Sequence, residues 1–337
     1  MMKAICVTES RALELREVPE PVKADLPGDH VLVEMEASAI NHGDKMFLAR
    51  PTIASGLNTS RHNIWGASGA GRVLAAGNGL PGDLIGRKVA IYRSLTASPH
   101  TVGLWSEQAV VPFTSCVVLP EDVEAVDYSG TLVNAITAYS FLEEMEAKQQ
   151  KGVVVTAGSS ATGLAMAALL HDRQTPAIFL VRSTNSRDAL RSLGIEHVLS
   201  TADADFQTHF ERLAEELQTT AVFDGVGGEL ISRIAPLLPV NSNVSIYGFL
   251  AGPAPVSIPT GLFMSKNLVV QRFSNFNSAT VRDTERLREA LRKLAQCIGN
   301  PLFRTKIGRT FRLDQIHEAI VYETTPGRKA VLLMKPK

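Results

Sequence analysis

Apolar residues in the first third of the chain come in short runs that are separated by turn residues. Each run has about the length of a β-strand, and pairs such as Pro27-Gly28 and Gly77-Asn78 stand between the runs. Strands are predicted over residues 2–7, 12–18, 31–37, 69–76, 88–92 and 107–111. Short strands with such punctuation are typical of a small β-barrel.

After Pro120 the pattern changes to an alternation of strands and helices, which begins with a helix over 131–148. Strands are predicted over 153–155, 177–181, 197–199, 221–223, 244–247 and 268–270, with helices over 164–170, 187–193, 206–217 and 230–238. Uniformly apolar strands that alternate with helices indicate a parallel, doubly wound sheet, because both faces of such a sheet are covered. The C-terminal region is mixed again, with helices over 284–298 and 313–322 and strands over 309–311 and 331–334.

Length and charge narrow the possible functions. The chain has 337 residues, which favours two domains. Lys and Arg together number 34, as do Asp and Glu, so the net charge is zero. A neutral protein has no overall field that attracts nucleic acid or an anionic membrane surface, so neither is expected as the main partner.

The cysteines and the N-terminal residues indicate the cellular compartment in which the protein is expected. The three cysteines, Cys6, Cys116 and Cys297, lie far apart in the sequence and form no CxxC motif. Neither a disulfide scaffold nor a structural zinc site of clustered cysteines is therefore expected. The start lacks the apolar core of a signal peptide, and no apolar stretch approaches the roughly 20 residues of a membrane span. We expect a cytoplasmic protein that acts on a small molecule.

A loop of small residues joins the first strand of the α/β region to its helix, with the pattern Ala157-x-x-Ser160-x-x-Gly163. Small residues let the backbone approach a pyrophosphate, and the helix N-terminus adds free N–H groups and a positive dipole end. The strict GxGxxG fingerprint is absent, so a tight turn that binds no ligand is the alternative. The predicted cofactor contacts here are Gly158, Ser159, Ser160, Ala161, Thr162 and Gly163.

The end of the next strand predicts which dinucleotide is preferred. A fold that prefers NAD places Asp or Glu there, on the ribose 2′-hydroxyl. This chain has no carboxylate at that place and offers Arg182, Ser183, Asn185 and Arg187 instead. Because a guanidinium suits a 2′-phosphate, NADPH is predicted over NADH. The alternative is that the two arginines only begin a solvated helix.

Short motifs along the whole chain share an order and a spacing with one known family. They are Asn41-His42-Gly43-Asp44, residues 65–71, 85–89, 105–107, Thr137-Ala138-Tyr139, the loop 157–163, 194–198, 223–228 and 327–331. With them the sequence resembles the medium-chain dehydrogenase/reductase superfamily, specifically its zinc-free quinone oxidoreductase branch. The resemblance implies an α/β protein with a GroES-like β-barrel catalytic domain over 1–121, completed by 275–337, and a Rossmann NADP(H)-binding domain over 122–274. It also implies a cofactor between the domains and a homodimer formed near 268–273.

The resemblance also has implications for metal binding and for the loop 157–163. In zinc-dependent alcohol dehydrogenases of this superfamily a Cys stands at the place of Asn41, and a His-Glu pair stands at Ala67-Ser68. Neither Ala nor Ser is a zinc ligand, so no metal is expected. The quinone reductases usually have Gly at Ser160 and Ala161, and these side chains either crowd the pyrophosphate or, through the Ser160 hydroxyl, bind it.

Hydride transfer without a metal then needs a positioned nicotinamide, a group that stabilises the developing oxyanion and a source of a proton. The expected acceptor is a quinone or an α,β-unsaturated carbonyl. Asn41 is the candidate for polarising the acceptor or fixing the nicotinamide, with helix capping as its alternative role, and His42 is the candidate proton donor. The remaining candidates are Phe47 and Trp65 as acceptor-site walls, and Thr137, Tyr247, Gly248 and Phe249 beside the cofactor.

Two other functions stay open at this stage. A 2-enoyl thioester reductase of the same superfamily carries a Tyr a few residues after the Asn-x-x-Asp motif, and residues 45–50 contain none. An NADPH-binding sensor or structural protein without turnover is the other alternative. Turnover on a panel of acceptors separates these functions.

Overall fold

The computed structural model of the protein describes residues 1–49, 60–322 and 328–334. It divides into two compact units, which are unit 1 (Met1–Ile136 and Thr284–Lys337) and unit 2 (Thr137–Asp283). The sequence placed the domain boundaries earlier, after residue 121 and after residue 274. No described helix has both the length and the apolar character that crossing a membrane requires.

The strands and helices are numbered in chain order. The strands are β1 (Met2–Val7), β2 (Leu13–Val18), β3 (His30–Ala39), β4 (Ser68–Ala76), β5 (Lys88–Tyr92), β6 (Gln108–Pro112), β7 (Cys116–Val118), β8 (Val153–Val155), β9 (Ala177–Val181), β10 (Val198–Ser200), β11 (Ala221–Asp224), β12 (Asn243–Ile246), β13 (Val269–Arg272), β14 (Ile307–Arg312) and β15 (Lys329–Leu333). The helices are α1 (His42–Ala49), α2 (Thr131–Ala147), α3 (Ala161–Arg173), α4 (Thr184–Arg191), α5 (Phe206–Glu216), α6 (Gly228–Ile234), α7 (Thr260–Ser265), α8 (Ala279–Arg282), α9 (Thr284–Cys297) and α10 (Ile316–Val321).

Unit 1 is built around a mixed seven-stranded sheet with the order β14-β15-β3-β4-β5-β7, in which β6 also pairs with β3. The strand β3 contacts three partners and exposes none of its ten positions. Its C-terminal end runs antiparallel to β15, with Ala39 opposite Val331. The N–H of Ile40 then donates to the carbonyl of Ala330 at 3.0 Å. This register brings the start of β15 beside the residues that follow β3.

Unit 2 contains a six-stranded sheet whose pairs are all parallel, in the order β10-β9-β8-β11-β12-β13. The strand β8 lies at its centre, with all three valines buried. Because the chain turns from one side of the sheet to the other after β10, the carboxyl ends of β8 and β11 form a topological switch point, where ligands bind in such sheets. The predicted α/β fold class, with its doubly wound parallel sheet, is confirmed.

Three short elements, β7, α7 and α8, were not predicted from the sequence. The strand β7 has three residues, and α7 buries none of its six, so neither has enough periodic positions to be recognised. The predicted start of α4 at Arg187 was too late. The Ser183 side chain accepts from the Ser186 N–H and caps the helix, which therefore begins at Thr184.

The loop between β8 and α3 brings backbone segments very close together. Ser160 caps α3, and its Oγ accepts from the Gly163 N–H at 3.1 Å. A Cβ on Gly163 would lie 2.5 Å from the carbonyl oxygen of Gly158, so only glycine allows this approach. Ala157 has a φ of 51°, in the left-handed region that costs an L-residue about 1–2 kcal/mol.

Replacing Ala157 with Gly is therefore expected to stabilise the protein by about 0.5–1 kcal/mol, because Gly adopts this φ without strain. The midpoint and slope of urea unfolding measure the change. Ala161→Gly is the matched control, since Ala161 begins α3 and Gly is expected to lower stability there. Equal destabilisation by both substitutions would contradict strain at Ala157.

Candidate functional site

Asp44 is the centre of a buried polar cluster in unit 1. It lies in the first turn of α1 and is fully buried. Its Oδ2 accepts from the backbone N–H of Asn41 at 2.8 Å and from Asn41 Nδ2 at 3.1 Å, and its Oδ1 accepts from the Ala67 N–H at 3.1 Å. Burial raises the pKa of Asp44, while these hydrogen bonds to Asn41 and the charges of Lys329 and Arg93 oppose that rise.

At the start of α1 the capping side chain is that of Asp44 and not that of Asn41. Asp44 stands three residues after Asn41 and accepts from its backbone N–H, as the third helical residue does in a capping box. The side-chain oxygen of Asn41 instead accepts a hydrogen bond from Lys329 Nζ. The alternative in which the Asn41 side chain caps this helix is therefore wrong, because its acceptor faces Lys329.

The side chain of Asn41 is fixed on both sides. Because a lysine ammonium has only donors, the Asn41 atom that faces it must be the oxygen. The Nδ2 atom then donates to Ser68 Oγ at 2.7 Å and to Asp44 Oδ2 at 3.1 Å. Both N–H bonds of the amide are engaged in this arrangement. The predicted role of Asn41, donation to the acceptor, requires one of these hydrogen bonds to open.

Lys329 was not singled out by the sequence analysis. It begins β15 and is half-buried, and its ammonium contacts Asn41 Oδ1. Burial lowers the pKa of Lys329 to about 8, against a smaller opposing effect of Asp44. Lys329 lies beside Asn41 because of the register of β15 against β3, which pairs residues from opposite ends of the chain.

Arg93 is a second buried cation near Asp44. It follows β5, is 2% exposed, and its backbone N–H donates to the Ala67 carbonyl at 3.0 Å. Burial lowers the pKa of Arg93 to about 10, and Asp44 opposes this effect. With one carboxylate and two cations, the cluster carries a formal charge of +1. Such a charge favours a ligand oxygen that is negative or becomes negative during a reaction.

The other predicted residues of unit 1 are less closely associated with this cluster. His42 begins α1 and its side chain is exposed, whereas Trp65 is 2% exposed and its Nε1 has no hydrogen-bond partner among the described residues. Trp65 also lines an open pocket, together with Val7 and Asn63. Phe47 lies in α1, and its side chain is outside the described part of the structure. Nowhere in residues 1–49, 60–322 and 328–334 do three or more His, Cys, Asp or Glu residues form a group able to hold a metal ion.

The switch point of unit 2 is closed by a second buried carboxylate. Thr156, which follows β8, donates its hydroxyl to Asp224 Oδ1 at 2.5 Å, and Asp224 ends β11. The backbone N–H groups of Val226 and Gly227 donate to the same carboxylate at 3.0 and 2.8 Å. Burial raises the pKa of Asp224, and these hydrogen bonds oppose that rise. Asp224 therefore ties the ends of β8 and β11 together.

Tyr247 connects this switch point with the start of α3. Its ring stacks on Phe223, with the ring centres 4.1 Å apart. Burial raises the pKa of its hydroxyl, and hydrogen bonds with the side chains of Ser160 and Thr162 oppose the rise. A Cβ on Gly225 would lie 2.6 Å from the Tyr247 oxygen, so Gly225 makes room for this contact. The structure thus brings Tyr247 together with the predicted phosphate loop.

The predicted phosphate-binding residues after β9 have different surroundings. Ser183 caps α4, and the guanidinium of Arg187 contacts Asp203 at 2.7 Å and Asp188 at 3.1 Å. Arg182 and Asn185 are exposed. The charge of Arg187 is therefore neutralised by these carboxylates. Arg182 is the stronger candidate for binding the 2′-phosphate of NADPH. Of the other cofactor candidates, Phe249 is exposed, whereas Thr137 and Gly248 are half-buried.

These residues fit a dinucleotide phosphate. The loop 158–163 leads into a helix N-terminus, and its glycines allow tight packing, with Gly158 against Phe179 and Leu180 of β9 and Gly163 against the loop carbonyls. Ser160 and Thr162 add two hydroxyl groups, and both already contact Tyr247. A phosphate that binds here would meet the Tyr247 hydroxyl.

Comparisons with known proteins agree with this fold. No family model matches the chain. The human "Synaptic vesicle membrane protein VAT-1 homolog" is 26% identical over 192 residues, which are 56% of this chain and 47% of that protein. The chain spans about half the length of this relative and of its rat and mouse counterparts. "Putative quinone oxidoreductase YhfP" of Bacillus subtilis is 27% identical over 68% of each chain. The mitochondrial enoyl-[acyl-carrier-protein] reductase of Xenopus tropicalis is 23% identical over 91% of this chain and 88% of that one.

Solved structures share the fold over nearly the whole chain. A "putative NADPH:quinone reductase" from Mesorhizobium loti has a TM-score of 0.73 at 22% identity and covers 98% of both chains. A mycobacterial protein complexed with NADPH has a TM-score of 0.71 at 21% identity and covers 99% of this chain and 100% of its own. Together, these comparisons show that the chain shares this fold and is similar in sequence to proteins named as quinone oxidoreductases and enoyl reductases.

Proposed function

We propose that the protein is an NADPH-dependent, zinc-independent reductase that transfers a hydride to a quinone or to an α,β-unsaturated carbonyl compound. The observation that carries this proposal is the switch point of unit 2. There a loop of small residues leads into α3, and the neighbouring strand β9 is followed by Arg182 and no carboxylate. The mycobacterial protein of the same fold is complexed with NADPH, which supports the same cofactor here.

NADPH supplies the hydride when it is bound. The chain's own residues bind and orient it: the loop 158–163 and the N-terminus of α3 hold the diphosphate, and Arg182, with Ser183 and Asn185 beside it, holds the 2′-phosphate. Tyr247 contacts Ser160 and Thr162 of this loop, and Gly248 packs against Gly225 after β11. We assign Tyr247 and Gly248, together with Thr137 and Phe249, to the nicotinamide side of the cofactor.

The acceptor meets unit 1 at the cluster of Asp44, Asn41 and Lys329. A quinone or an enone spreads the electrons it receives onto an oxygen, so a fixed positive charge stabilises the product-like state without a metal. In zinc enzymes of the superfamily the metal supplies that charge. Here Asn41 and Ser68 stand where the resemblance places zinc ligands, and they hydrogen-bond to each other. We assign the positive charge to the ammonium of Lys329.

A 2-enoyl thioester reductase is the second candidate. The alignment with the enoyl-[acyl-carrier-protein] reductase extends over 91% of this chain, which favours it. The absence of a tyrosine from residues 45–50 argues against it. Comparing crotonyl-CoA with a simple enone of similar reactivity separates the two, because only the thioester enzyme is expected to prefer the CoA ester strongly.

The direct test titrates the protein with NADPH and NADH after treatment with a chelator, and then adds a quinone or an enone. The proposal expects NADPH to bind more tightly than NADH and its absorbance at 340 nm to fall once the acceptor is present. NADPH binding without oxidation by any acceptor would favour a sensor. Activity that disappears with the chelator and returns with zinc would overturn the metal-free chemistry.

Arg182→Ala is expected to weaken NADPH binding about 10- to 100-fold, the loss of one charge-assisted hydrogen-bonding group, and to leave NADH binding unchanged. Fluorescence titration of both cofactors measures the difference. Arg212→Ala is the control, since Arg212 lies on α5 and pairs with Glu216 at 2.9 Å. An equal loss for NADPH and NADH would show that Arg182 does not recognise the 2′-phosphate.

We also propose that the protein is a cytoplasmic homodimer that pairs along β13. This strand is at the edge of the parallel sheet, and Val269 on it is 46% exposed. Light scattering on a sizing column is expected to give twice the chain mass for the wild type and the chain mass for Val269→Arg. Leu193→Arg, at a residue 48% exposed outside this edge strand, is expected to stay dimeric. A monomeric wild type would exclude the dimer.

A further inference from the structure

We propose that Lys329 is a catalytic residue of the reductase, whose ammonium hydrogen-bonds to the acceptor oxygen and gives it a proton as the hydride arrives. Asn41 is the positioning residue that holds the ammonium. This inference rests on the proposed function and adds the proton donor, the role for which the sequence analysis offered His42.

The backbone register sets the position of Lys329. Val331 of β15 lies opposite Ala39 of β3, and the Ile40 N–H donates to the Ala330 carbonyl. Continuing this antiparallel register places Lys329 opposite Asn41. The hydrogen bond between their side chains therefore follows from the sheet and not from a mobile surface contact.

The hydrogen-bonding capacity of the two side chains distinguishes their roles. Both N–H bonds of the Asn41 amide are engaged with Ser68 and Asp44. An ammonium has three N–H donors, and one of those on Lys329 goes to Asn41. Within residues 1–49, 60–322 and 328–334, Lys329 Nζ has no other hydrogen-bond partner, so it retains donors for a ligand. Lys329 as a whole residue is half-buried.

The charges around Lys329 influence the pKa of its ammonium. Asp44 on α1 attracts the ammonium, and Arg93 after β5 competes for that carboxylate. Just before the neighbouring strand β14, the Lys306 carbonyl accepts from the Lys329 N–H at 2.7 Å. Lys306 and Arg328 are the further cations on these paired segments. Burial lowers the pKa of Lys329 to about 8, so the group is charged at neutral pH and yet gives up its proton more readily than an exposed lysine.

The proposed step balances in atoms and electrons. The hydride brings an electron pair to a carbon of the quinone or enone, and the conjugated π electrons move onto the acceptor oxygen. A new O–H bond forms with a proton from Lys329 Nζ, whose N–H electron pair stays on nitrogen as a neutral amine. The product is the enol, which for a quinone is the keto tautomer of the hydroquinone and becomes the hydroquinone when the reduced carbon loses a proton to water and the second oxygen gains one. The amine takes a proton from water before the next turnover.

The experiment compares the wild type, Lys329→Met and Lys329→Arg, with Lys306→Met as the control for loss of a neighbouring lysine. Each variant is measured for its kcat and KM with the same quinone, its Kd for NADPH, and its unfolding midpoint. Lys329→Met is expected to lower kcat about 10²- to 10³-fold, the range for a general acid, with the NADPH Kd within about twofold of the wild type. Lys306→Met is expected to keep the wild-type kcat.

The pH profile tests the proton directly. An acid must be protonated to act, so kcat/KM of the wild type is expected to fall above pH about 8, as Lys329 loses its proton. Lys329→Arg keeps a charged donor whose pKa exceeds about 12, so this fall is expected to be absent from its profile. Lys329→Met is expected to give a low and flat profile.

Each other result overturns the inference. A kcat within about threefold of wild type in Lys329→Met would show that Lys329 is not the acid, while wild-type turnover would leave the proposed function intact. A weakened NADPH Kd with unchanged kcat would make Lys329 a cofactor ligand instead. A wild type that oxidises no NADPH with any quinone or enone would overturn the proposed function and this role together.

Discussion

The buried carboxylate of Asp44 is the constraint on which the rest of unit 1 depends. Removing a carboxylate from water costs several kcal/mol unless donors and cations replace its hydration. The structure provides them from four places in the fold, where β3 ends, β4 begins, β5 ends and β15 begins. They are the two N–H groups of Asn41, the backbone N–H of Ala67, and the cations Arg93 and Lys329. Asp44 therefore depends on groups from four strand ends of the sheet.

Unit 2 uses a buried carboxylate in a different way. Asp224 is satisfied by the Thr156 hydroxyl and by backbone N–H groups of the loop that follows it. The groups that oppose the rise in its pKa are the Thr156 hydroxyl and these backbone N–H groups, so Asp224 fixes the switch point through hydrogen bonds. Tyr247 adds a third connection, from its contact with Phe223 to the first turn of α3. Asp44 is thus stabilised by hydrogen bonds and cations, whereas Asp224 is stabilised by hydrogen bonds.

The sequence predicted the features that repeat locally. The parallel sheet follows from apolar strands such as Val153–Val155, and the loop before α3 follows from its run of small residues. Lys329 and Arg93 were missed, because their contacts with the Asn41–Asp44 turn depend on strand register between distant segments. Asn41 was singled out, but its acceptor faces Lys329 and does not cap α1. Contacts set by register leave no local sequence signal.

The most direct test of this account is the proton affinity of Lys329 itself. An NMR titration of protein labelled with ¹³C at lysine Cε follows each ammonium, and Lys329→Arg identifies the resonance of interest. The account predicts that this one resonance titrates near pH 8, because burial in the Asn41–Asp44 cluster lowers its pKa. Titration near pH ~10.4, the value for an exposed lysine, would contradict it.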